Sequence, residues 1–498
     1  MWGIHWFRRD LRVFGNLALQ ENLKRTGGNT LGIFCFDSKF LSRSDFSANR
    51  FGFFLKTLVA LREELREQGG DLLVVDSMPD ELFPKLITYL NKHQIELPKL
   101  VSFCRDYEPY AISRDTTVAQ ILERSGIEVF TARDHMILEP QEVLKSEKPG
   151  DFYQVYTPYS KKWFKIFADK AIQERVHSQR GAVKYLKQLQ GGDLKGTFQI
   201  TWKKLCKNSP LPFVDACQSF EEANQKNVTV KLPEAGFAAA LKVLDAFKPR
   251  LSDYKINRDF PAILGTSHLS IYFKNGSITT SQAFAYLHLE DTALTEKVAG
   301  SATQFAKELV WREFYYSILF HRPDVEKSCF IKKYEGLEWK NSKKIFAVWQ
   351  TGHTGFPIVD AGMRQLLQTG WMHNRVRMIV ASFLTKDLLI DYKWGELHFM
   401  KYLLDGDLAP NNGGWQWAAS TGCDPQPYFR IFNPWLQSKR FDPTGEYIKH
   451  FIPELKSVPA KSLHDEEADR GANGYPKPIV NHSEQRNQAL KLYRAARA

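Results

Sequence analysis

The sequence predicts a two-domain protein in which an α/β domain with a parallel, Rossmann-like sheet precedes an all-α domain. At 498 residues the chain is too long for one ordinary hydrophobic core. Its first third alternates short β-rich runs with helical patterns, which is typical of a doubly wound sheet. From Glu234 onward apolar residues recur at helical spacing nearly throughout. These three observations predict the α/β-then-α order.

Five strands are predicted in the first domain, residues 1–135. In chain order they cover Gly3–Phe7, Thr30–Phe36, Asp71–Val75, Lys99–Phe103 and Glu128–Thr131. Helices are predicted between them at Arg50–Gln68, Asp80–Lys92 and Arg114–Ser125. Right-handed crossovers would make the strands parallel, and a nucleotide-like ligand would lie beyond their carboxyl ends. Neither G-x-G-x-x-G nor G-x-x-x-x-G-K-[ST] occurs, so an ordinary NAD or ATP site is not predicted.

Residues 136–232 are interpreted as an interdomain linker, because they are rich in Lys, Gln, Pro and Gly and weakly periodic. Some helix is expected near Lys161–Arg175. The all-α domain, residues 233–498, is predicted to contain helices at Ala238–Phe247, Ser281–His288, Gln304–Phe320, Gly355–Thr369, His373–Leu388 and Trp394–Leu404.

The composition is that of a globular protein, with 43% hydrophobic and 25% charged residues. No apolar run approaches the roughly 20 residues that span a bilayer, and the charged N-terminus predicts no export. Six cysteines without C-x-x-C spacing indicate reduced thiols and a cytoplasmic protein. The net charge of +12 favours a polyanionic partner, although basic proteins that bind no nucleic acid are as common.

The segment from Asp405 to Pro434 is too polar for a core and too aromatic for a solvent loop. Its first part holds two acids, two asparagines and two tryptophans, and helical periodicity breaks there. The acids could bind a divalent cation, but no third or fourth ligand follows at metal spacing, so no metal site is predicted. In extended backbone Trp415 and Trp417 would face opposite sides, one towards a cofactor and one towards a substrate.

Two further segments carry chemistry at helical spacing. Glu308, Trp311, Arg312 and Tyr315 share one helix face that suits a pocket wall. The alternative is an amphipathic helix with a buried Trp and a surface Glu–Arg pair. The second segment repeats the pattern with Trp371, Asn374 and Met378, flanked by Arg375 and Arg377. An Asn in mid-helix usually has a partner, which could be a ligand or a structural group.

A third segment, Arg258–Gly276, offers hydroxyls and backbone amides before a predicted helix. Thr266, Ser267 and Ser270 could bind phosphates there. Such Ser/Thr turns before helices are common without a ligand.

Taken together, these segments resemble the DNA photolyase/cryptochrome family, most closely the class I photolyases that act on cyclobutane pyrimidine dimers. The likeness extends from HWFRRDLR at His5–Arg12 to YPKPIVNH at Tyr475–His482. It implies an antenna-binding first domain, an FAD-binding helical domain and light-driven electron transfer from reduced FAD to a flipped-out dimer in UV-damaged DNA. The implied activity is that of a monomeric deoxyribodipyrimidine photo-lyase, a carbon–carbon lyase.

The resemblance also assigns residues to the FAD site. They are Tyr254, Thr266, Ser267, His268, Leu269, Ser270, Phe305, Glu308, Arg312, Trp371, Asn374, Arg377, Asp405, Gly406, Asp407 and Asn411. Asn411 matches the family asparagine that faces flavin N5, and Glu308, Asn374 and Asn411 are the implied catalytic residues of the pocket. The chain departs from the family at Phe305, where Trp is usual, and at His268.

Lesion contacts and an electron relay are implied in the same way. The lesion residues are Arg258, Glu308, Trp311, Arg312, Asn374, Arg375, Met378 and Trp417. The family's relay tryptophans match at Trp415 and Trp339, but the middle member is Tyr392. Photoreduction of oxidised flavin should therefore be inefficient unless Trp394 substitutes, whereas repair by reduced enzyme should be normal.

An antenna site is implied in the first domain by Phe34, Cys35, Asp37, Arg50, Asp106 and Glu108. Tyr110 and Ala111 stand where folate-binding relatives carry Asn-Glu. We therefore expect 8-hydroxy-5-deazaflavin, with FMN, a second FAD or folate as less favoured alternatives.

Three other functions remain open. A cryptochrome would share the fold and FAD but signal instead of repairing DNA. A (6-4) photolyase would be expected to carry paired histidines where this chain has His373-Asn374 and Met378. A non-catalytic flavoprotein that binds nucleic acid would not convert dimers under blue light.

Overall fold

A computed structural model describes residues 1–148, 150–181, 197–207, 209–295, 297, 299–471 and 474–496. The first domain contains the predicted parallel sheet, in the spatial order β3-β2-β1-β4-β5. Its strands are β1 Gly3–Phe7, β2 Thr30–Phe36, β3 Leu72–Asp76, β4 Leu100–Cys104 and β5 Glu128–Ala132. All five predictions are confirmed to within one residue. Strands β1 to β4 are almost continuous buried runs, whereas the edge strand β5 is mostly half-buried.

One helix of this domain was missed by the sequence analysis. It runs from Leu17 to Thr26, between β1 and β2. Asn16 caps it by accepting a hydrogen bond from the Leu19 amide at 3.1 Å, and Gly27 ends it at φ 61°. The other helices are Ala48–Glu67, Pro79–Lys92 and Pro109–Arg124, of which the last begins five residues before its predicted start.

The segment between the domains is more ordered than a simple linker. Its described helices are Tyr156–Phe167, Lys170–His177, Trp202–Leu205 and Cys217–Gln225. The helix expected near Lys161–Arg175 is two helices, because Asp169 caps the second one. Trp163 is buried and donates to Glu313 at 2.6 Å, so this segment packs into the helical domain. Residues 182–196 lie outside the described part of the chain.

The last domain is helical, as predicted. Helices near the site are Phe237–Phe247, Tyr254–Asn257, Ser270–Asn275, Thr280–Tyr286, Ser301–His321, Lys343–Gln350, Pro357–Thr369, Asn374–Ser382, Tyr392–Tyr402 and Leu408–Ala418. The C-terminal part adds Pro434–Phe441, Glu446–Phe451, Ala460–Leu463 and His482–Ala495. Within the described residues, none of these combines the length and apolarity needed to span a bilayer.

Two local predictions were wrong. The expected helix His373–Leu388 ends at Ser382 and continues as a wider π-type turn, Phe383–Asp387. The segment predicted to be extended forms the helix Leu408–Ala418. The Gly-Gly pair suggested that a helix would break here. Gly413 instead lets this helix pack closely on Ser301–His321, because a Cβ at Gly413 would clash with the ring of Tyr315.

Candidate active site in the helical domain

The predicted site residues lie on helices that contact one another. Tyr254–Asn257 and Leu408–Ala418 both pack on Ser301–His321, and Asn374–Ser382 packs on Leu408–Ala418. The structure therefore brings together segments that are far apart in the chain, as the resemblance implied.

Glu308 lies on the helix Ser301–His321 and pairs with the residue that follows the short helix Tyr254–Asn257. Its carboxylate accepts hydrogen bonds from Arg258 and, at 2.8 Å, from Gln304. The surface pair between Glu308 and Arg312 that we considered as an alternative is not what forms. Arg312 instead donates to the His135 carbonyl at 2.7 Å. Glu308 and Arg258 thus make a half-buried, mutually neutralised polar wall.

Trp311 lies on the same helix, about one turn further on. Its indole stacks on Tyr156 with a centroid distance of 3.6 Å and an interplanar angle of 6°. The partner comes from the interdomain segment, and nothing in the sequence pattern singled it out. The Tyr156 hydroxyl donates to the Lys307 carbonyl at 2.9 Å, which fixes the tyrosine ring. The half-buried indole is therefore held in a defined plane.

Arg250 fixes the backbone at the start of the hydroxyl-rich loop, Thr266–Ser270. This guanidinium donates to the carbonyls of Leu264, at 2.6 Å, and Thr266, at 3.2 Å. His268 adopts φ 56°, and its ring lies 4.2 Å from that of Trp371. Leu269, which follows, is fully buried and precedes the helix Ser270–Asn275. The loop is therefore fixed immediately before a helix, and phosphate binding by this loop stays a prediction.

Phe305 has a structural explanation. It is buried between Tyr254 and Phe247, with centroid distances of 5.3 and 5.0 Å. Tyr254 is itself buried, and burial raises the pKa of its phenol. Phenylalanine at this position thus fills the space between these two rings, and it has no indole N–H that would need a hydrogen-bond partner in the core.

The two acids that open the segment after residue 404 have different partners. Asp405 is buried and accepts two hydrogen bonds from Arg377, at 2.8 and 3.1 Å. Asp407 is bound by Arg9 at 3.3 Å, Lys274 at 2.9 Å and the Tyr316 hydroxyl at 2.7 Å. The sequence analysis missed all three partners of Asp407.

The charge around Asp407 is strongly positive. Burial alone would raise the pKa of this carboxyl, but Lys274, Arg9 and Arg312 hold it well below its ordinary value. Arg9 belongs to the first domain and also pairs with Glu108 at 3.0 Å. Asp407 therefore links the helical domain to the first domain through its ion pair with Arg9.

Gly406, between these acids, meets another side chain of the first domain. A Cβ at Gly406 would clash with the guanidinium of Arg50. Arg50 donates to the carbonyls of Met400 and, at 3.4 Å, Leu403. The structure thus places Arg50, predicted in the antenna site, against the helical domain.

Asn411 and Asn412 are neighbours with different environments. The buried Asn412 amide donates to the Val325 carbonyl and the Glu396 carboxylate, both at 3.0 Å. The half-buried Asn411 donates to the Glu396 carbonyl at 3.1 Å. Burial raises the pKa of Glu396 to about 7. Asn412 is thus structural, whereas Asn411 keeps its side-chain oxygen available for a ligand.

The lesion residues of the next segment differ from expectation in one respect. Asn374 is exposed and is the first residue of its helix, so the prediction of an Asn in mid-helix was wrong. His373 caps this helix by accepting from the Arg375 amide at 3.2 Å. Arg375 pairs with Asp259 at 2.7 Å and lies 3.8 Å from the sulfur of Met378. Asn374 needs no structural partner here, because first-turn positions lack the competition found in mid-helix.

Trp415 and Trp417 share the helix Leu408–Ala418 rather than an extended strand. Residues two apart on a helix are separated by about 200°, so the two indoles still face different sides. Trp415 is buried against Phe399 at 4.9 Å, and Trp417 is half-buried. The prediction of opposite orientations is therefore confirmed, although its structural reason was wrong.

The two other residues that the resemblance assigns to a relay, Tyr392 and Trp339, line one cavity of about 450 Å³. Tyr392 is buried there, and its hydroxyl lies 3.8 Å from the sulfur of Cys329. Trp339 meets Tyr493 edge-on at 6.1 Å.

The predicted antenna residues fall into two groups. Phe34, Cys35 and Asp37 lie at and beyond the carboxyl end of β2, where burial raises the pKa of the Cys35 thiol and Tyr110 donates to Asp37. Asp106 and Glu108 instead face the domain interface, because both pair with Arg9.

One group of described side chains has ligand atoms close enough for a cation. His177, Glu290 and Asp291 place such atoms within 4.8 Å of one another. Arg180 already pairs with both carboxylates, at 2.6 Å in the case of Glu290. We therefore assign no metal to this group.

The donors of the helical site suit a large ligand with phosphates and a polar edge. His373 Nε2 is buried without a hydrogen-bond partner, and Arg312 Nη2 is buried with only a long ion pair to Asp407 at 3.7 Å. Within the described residues, no hydrogen bond is made by the hydroxyls of Thr266 and Ser270, and a Cβ at Gly414 would meet open space. FAD offers acceptors for these donors, so the residues present fit that cofactor.

Comparisons with known proteins agree with this arrangement. Residues 3–177 match the family model described as DNA photolyase, and residues 305–495 match the FAD binding domain of DNA photolyase. The chain is 39% identical to a deoxyribodipyrimidine photo-lyase of Alkalihalophilus pseudofirmus, over 98% of this chain and 97% of the relative. It is 36% identical to that of Escherichia coli, over 99% and 98%.

Solved structures show the same fold. A class III photolyase from Agrobacterium tumefaciens is 31% identical, with a TM-score of 0.77 over 100% of this chain and 98% of its own. An archaeal photolyase from Sulfolobus tokodaii with two FAD molecules is 29% identical, with a TM-score of 0.77 over 99% of this chain and 100% of its own. The full-length likeness and the matched site lead to one conclusion: the chain belongs to the DNA photolyase family.

Proposed function

We propose that the protein is a light-driven deoxyribodipyrimidine photo-lyase that repairs cyclobutane pyrimidine dimers in DNA. The observation that carries the proposal is the half-buried wall formed by Glu308, Arg258 and Trp311. An acid, a cation and a fixed indole suit a flipped-out pyrimidine dimer. Bound FAD supplies the light-driven electron that splits the dimer.

The side chains of this wall hold the lesion in distinct ways. Trp311 offers a planar surface on which a displaced base can stack. Glu308 accepts hydrogen bonds, and Arg258 keeps its charge balanced within the pocket. Met378 and Trp417 supply apolar contact, and the exposed Asn374 offers an amide to the base edge. Arg375 contributes positive charge near the DNA backbone.

The cofactor is held from two sides. The Thr266–Ser270 loop binds its phosphates through hydroxyls and amides. Asp405, Trp371 and Arg377 would hold the remainder, and Asn411 would offer its side-chain oxygen to the flavin. Asp407 takes part through the position of its helix, because its carboxylate is engaged by Arg9 and Lys274.

Replacing Asp405 by alanine should weaken FAD binding. The change removes an acceptor and leaves Arg377 without its buried partner, which costs about 1–3 kcal/mol. The flavin-to-protein ratio and a titration of apoprotein with FAD measure this loss. Asp324→Ala, at a partly exposed acid far from the loop, is the matched control. If Asp405→Ala still binds one FAD per chain at low cofactor concentration, the Asp405 carboxylate does not contribute to the cofactor site.

DNA binding in the dark tests the substrate. Affinity for undamaged duplex should fall steeply with salt, because phosphate contacts release counterions. A duplex containing one dimer should bind more tightly at every salt concentration, since a damaged base pair is easier to flip out. Competition binding over a salt series measures both terms. Equal affinity for damaged and undamaged duplexes would count against a repair enzyme.

For the antenna we propose 8-hydroxy-5-deazaflavin at the carboxyl end of β2. Support comes from Phe34, Cys35 and Asp37 lying there and from Tyr110 and Ala111 in place of the Asn-Glu pair. The Sulfolobus tokodaii relative with two FAD molecules makes a second flavin the main alternative. Absorption spectra before and after denaturation distinguish the two. Release of FAD alone, in excess of one per chain, would favour the alternative.

A further inference from the structure

The buried indole of Trp415 continues into a line of aromatic rings that leads towards solvent. Trp349 lies 6.2 Å from Trp415, centroid to centroid, at an interplanar angle of 72°. Phe346 stacks on Trp349 at 5.6 Å, and Trp394 meets Phe346 at 5.2 Å. Trp349 is fully buried, whereas Trp394 is half-buried. The line thus begins in the core, on the helix that also carries Asn411, and ends where a solute can reach it.

The rings differ in how readily they lose an electron. Indole is easier to oxidise than phenol, and benzene is much harder, so Trp349 and Trp394 can carry a hole while Phe346 serves as the medium between them. His398 packs 5.5 Å from Trp349. Burial lowers the pKa of His398 to about 3, so this neighbour is neutral and does not oppose a positive charge on the indole.

The route through Tyr392 needs a proton transfer from the phenol, whose hydrogen-bond partner is a poor base. A phenol must lose its proton when it is oxidised. Among the described residues, the Tyr392 hydroxyl has one hydrogen-bond partner, the thiol of Cys329 at 3.8 Å, and the carboxyl groups of Asp391 and Glu396 nearby also raise the pKa of the phenol. Burial raises the pKa of both groups, so the thiol is no base and the phenol holds its proton. Oxidised Tyr392 is therefore disfavoured.

We propose that electrons which recharge the cofactor travel through Trp394, Trp349 and Trp415, bypassing Tyr392 and Trp339. One electron leaves Trp415 for the photoexcited oxidised flavin and is replaced from Trp349, which is refilled from Trp394. The oxidised Trp394 indole gives its N–H proton to water, and an external thiol returns one electron and one proton. The net change is one electron from the thiol to the flavin. This inference rests on the proposed function.

Four single substitutions separate the routes. Trp349→Phe and Trp394→Phe should each slow photoreduction of oxidised flavin on the order of tenfold or more. Tyr392→Phe and Trp339→Phe, the matched aromatic controls on the other route, should stay within about twofold of wild type. Loss of oxidised-flavin absorbance under illumination with excess thiol gives the rates. The reverse pattern, with the controls slow and Trp349→Phe and Trp394→Phe fast, would overturn the proposal.

A second readout does not depend on the rate. Under illumination without thiol but with oxygen, a hole that reaches the last ring accumulates there and the indole becomes oxygenated. Peptide mass spectrometry should find this oxidation at Trp394, and Trp349→Phe should abolish it. Because Trp394 is at the surface, Trp394→Phe also remains informative if Trp349→Phe fails to fold. Oxidation at Trp339 instead of Trp394 would contradict the route.

Repair by chemically reduced wild-type protein separates this inference from the function on which it rests. If reduced protein splits dimers under light, but photoreduction is slowed by Tyr392→Phe and not by Trp349→Phe or Trp394→Phe, only the proposed relay is wrong. If reduced protein splits no dimers, the proposed function fails, whatever the relay variants show.

Discussion

Asp407→Ala is expected to lower the free energy of unfolding by about 3–5 kcal/mol, because it leaves buried cations without their counter-ion. The carboxylate is buried and balances Arg9 and Lys274, at 3.3 and 2.9 Å. Urea unfolding of the apoprotein measures the loss without a contribution from cofactor binding. Glu234→Ala is the control, since Glu234 pairs with Lys242 at the exposed surface and should cost at most about 1 kcal/mol.

A second variant at this position, Asp407→Asn, gives a pH-dependent prediction. The pKa of Asp407 in the folded protein is well below the unfolded value, which is about 3.9 for an Asp. Its stabilising contribution is therefore complete above that value and is lost as the pH falls towards the folded pKa. The difference in stability between wild type and Asp407→Asn should be largest near neutral pH and shrink below about pH 4. A difference that does not change with pH would mean that the carboxylate charge is not what stabilises the interface.

Trp311→Ala is expected to weaken binding of dimer-containing DNA by about 1–3 kcal/mol, the range for loss of one base-stacking platform. That is roughly a fivefold to 150-fold loss. Undamaged duplex should bind nearly as before, because phosphate contacts are untouched. Competition binding in the dark gives both affinities.

Packing is the alternative role for Trp311, because its indole stacks on Tyr156 at 3.6 Å. Tyr156→Leu is the matched variant: it removes the partner but keeps the indole. If Trp311 serves the lesion, Tyr156→Leu should retain most of the preference for damaged DNA. An equal loss of affinity for both DNAs in Trp311→Ala would make the indole a structural residue.

Local sequence patterns predicted the sheet well and some helix ends poorly. Strands such as Thr30–Phe36 are buried runs bounded by polar turns, so their pattern is unambiguous. The helix Leu17–Thr26 has only ten residues, most of them polar, so its apolar face is short. The helix Leu408–Ala418 was missed because its glycines read as breakers, and only the tertiary contact with Tyr315 explains Gly413.

The site was predictable where its residues share a short segment. Glu308 and Trp311 stand one turn apart, and the family motif identifies both. Their partners were not predictable from spacing, because they come from distant parts of the chain. Arg9 and Asp407 are separated by 398 positions, and their ion pair depends on how two domains dock. No local pattern encodes such a contact.

The most direct test of the account is light-dependent conversion of a defined substrate. A duplex with one cyclobutane thymine dimer is incubated with chemically reduced, FAD-loaded protein, in the dark and under blue light, and intact thymines are counted by chromatography. We predict restoration of both thymines only in the light, with many dimers converted per protein and no net consumption of reductant. Dark conversion, or none under illumination despite bound FAD and tight lesion binding, would contradict the account.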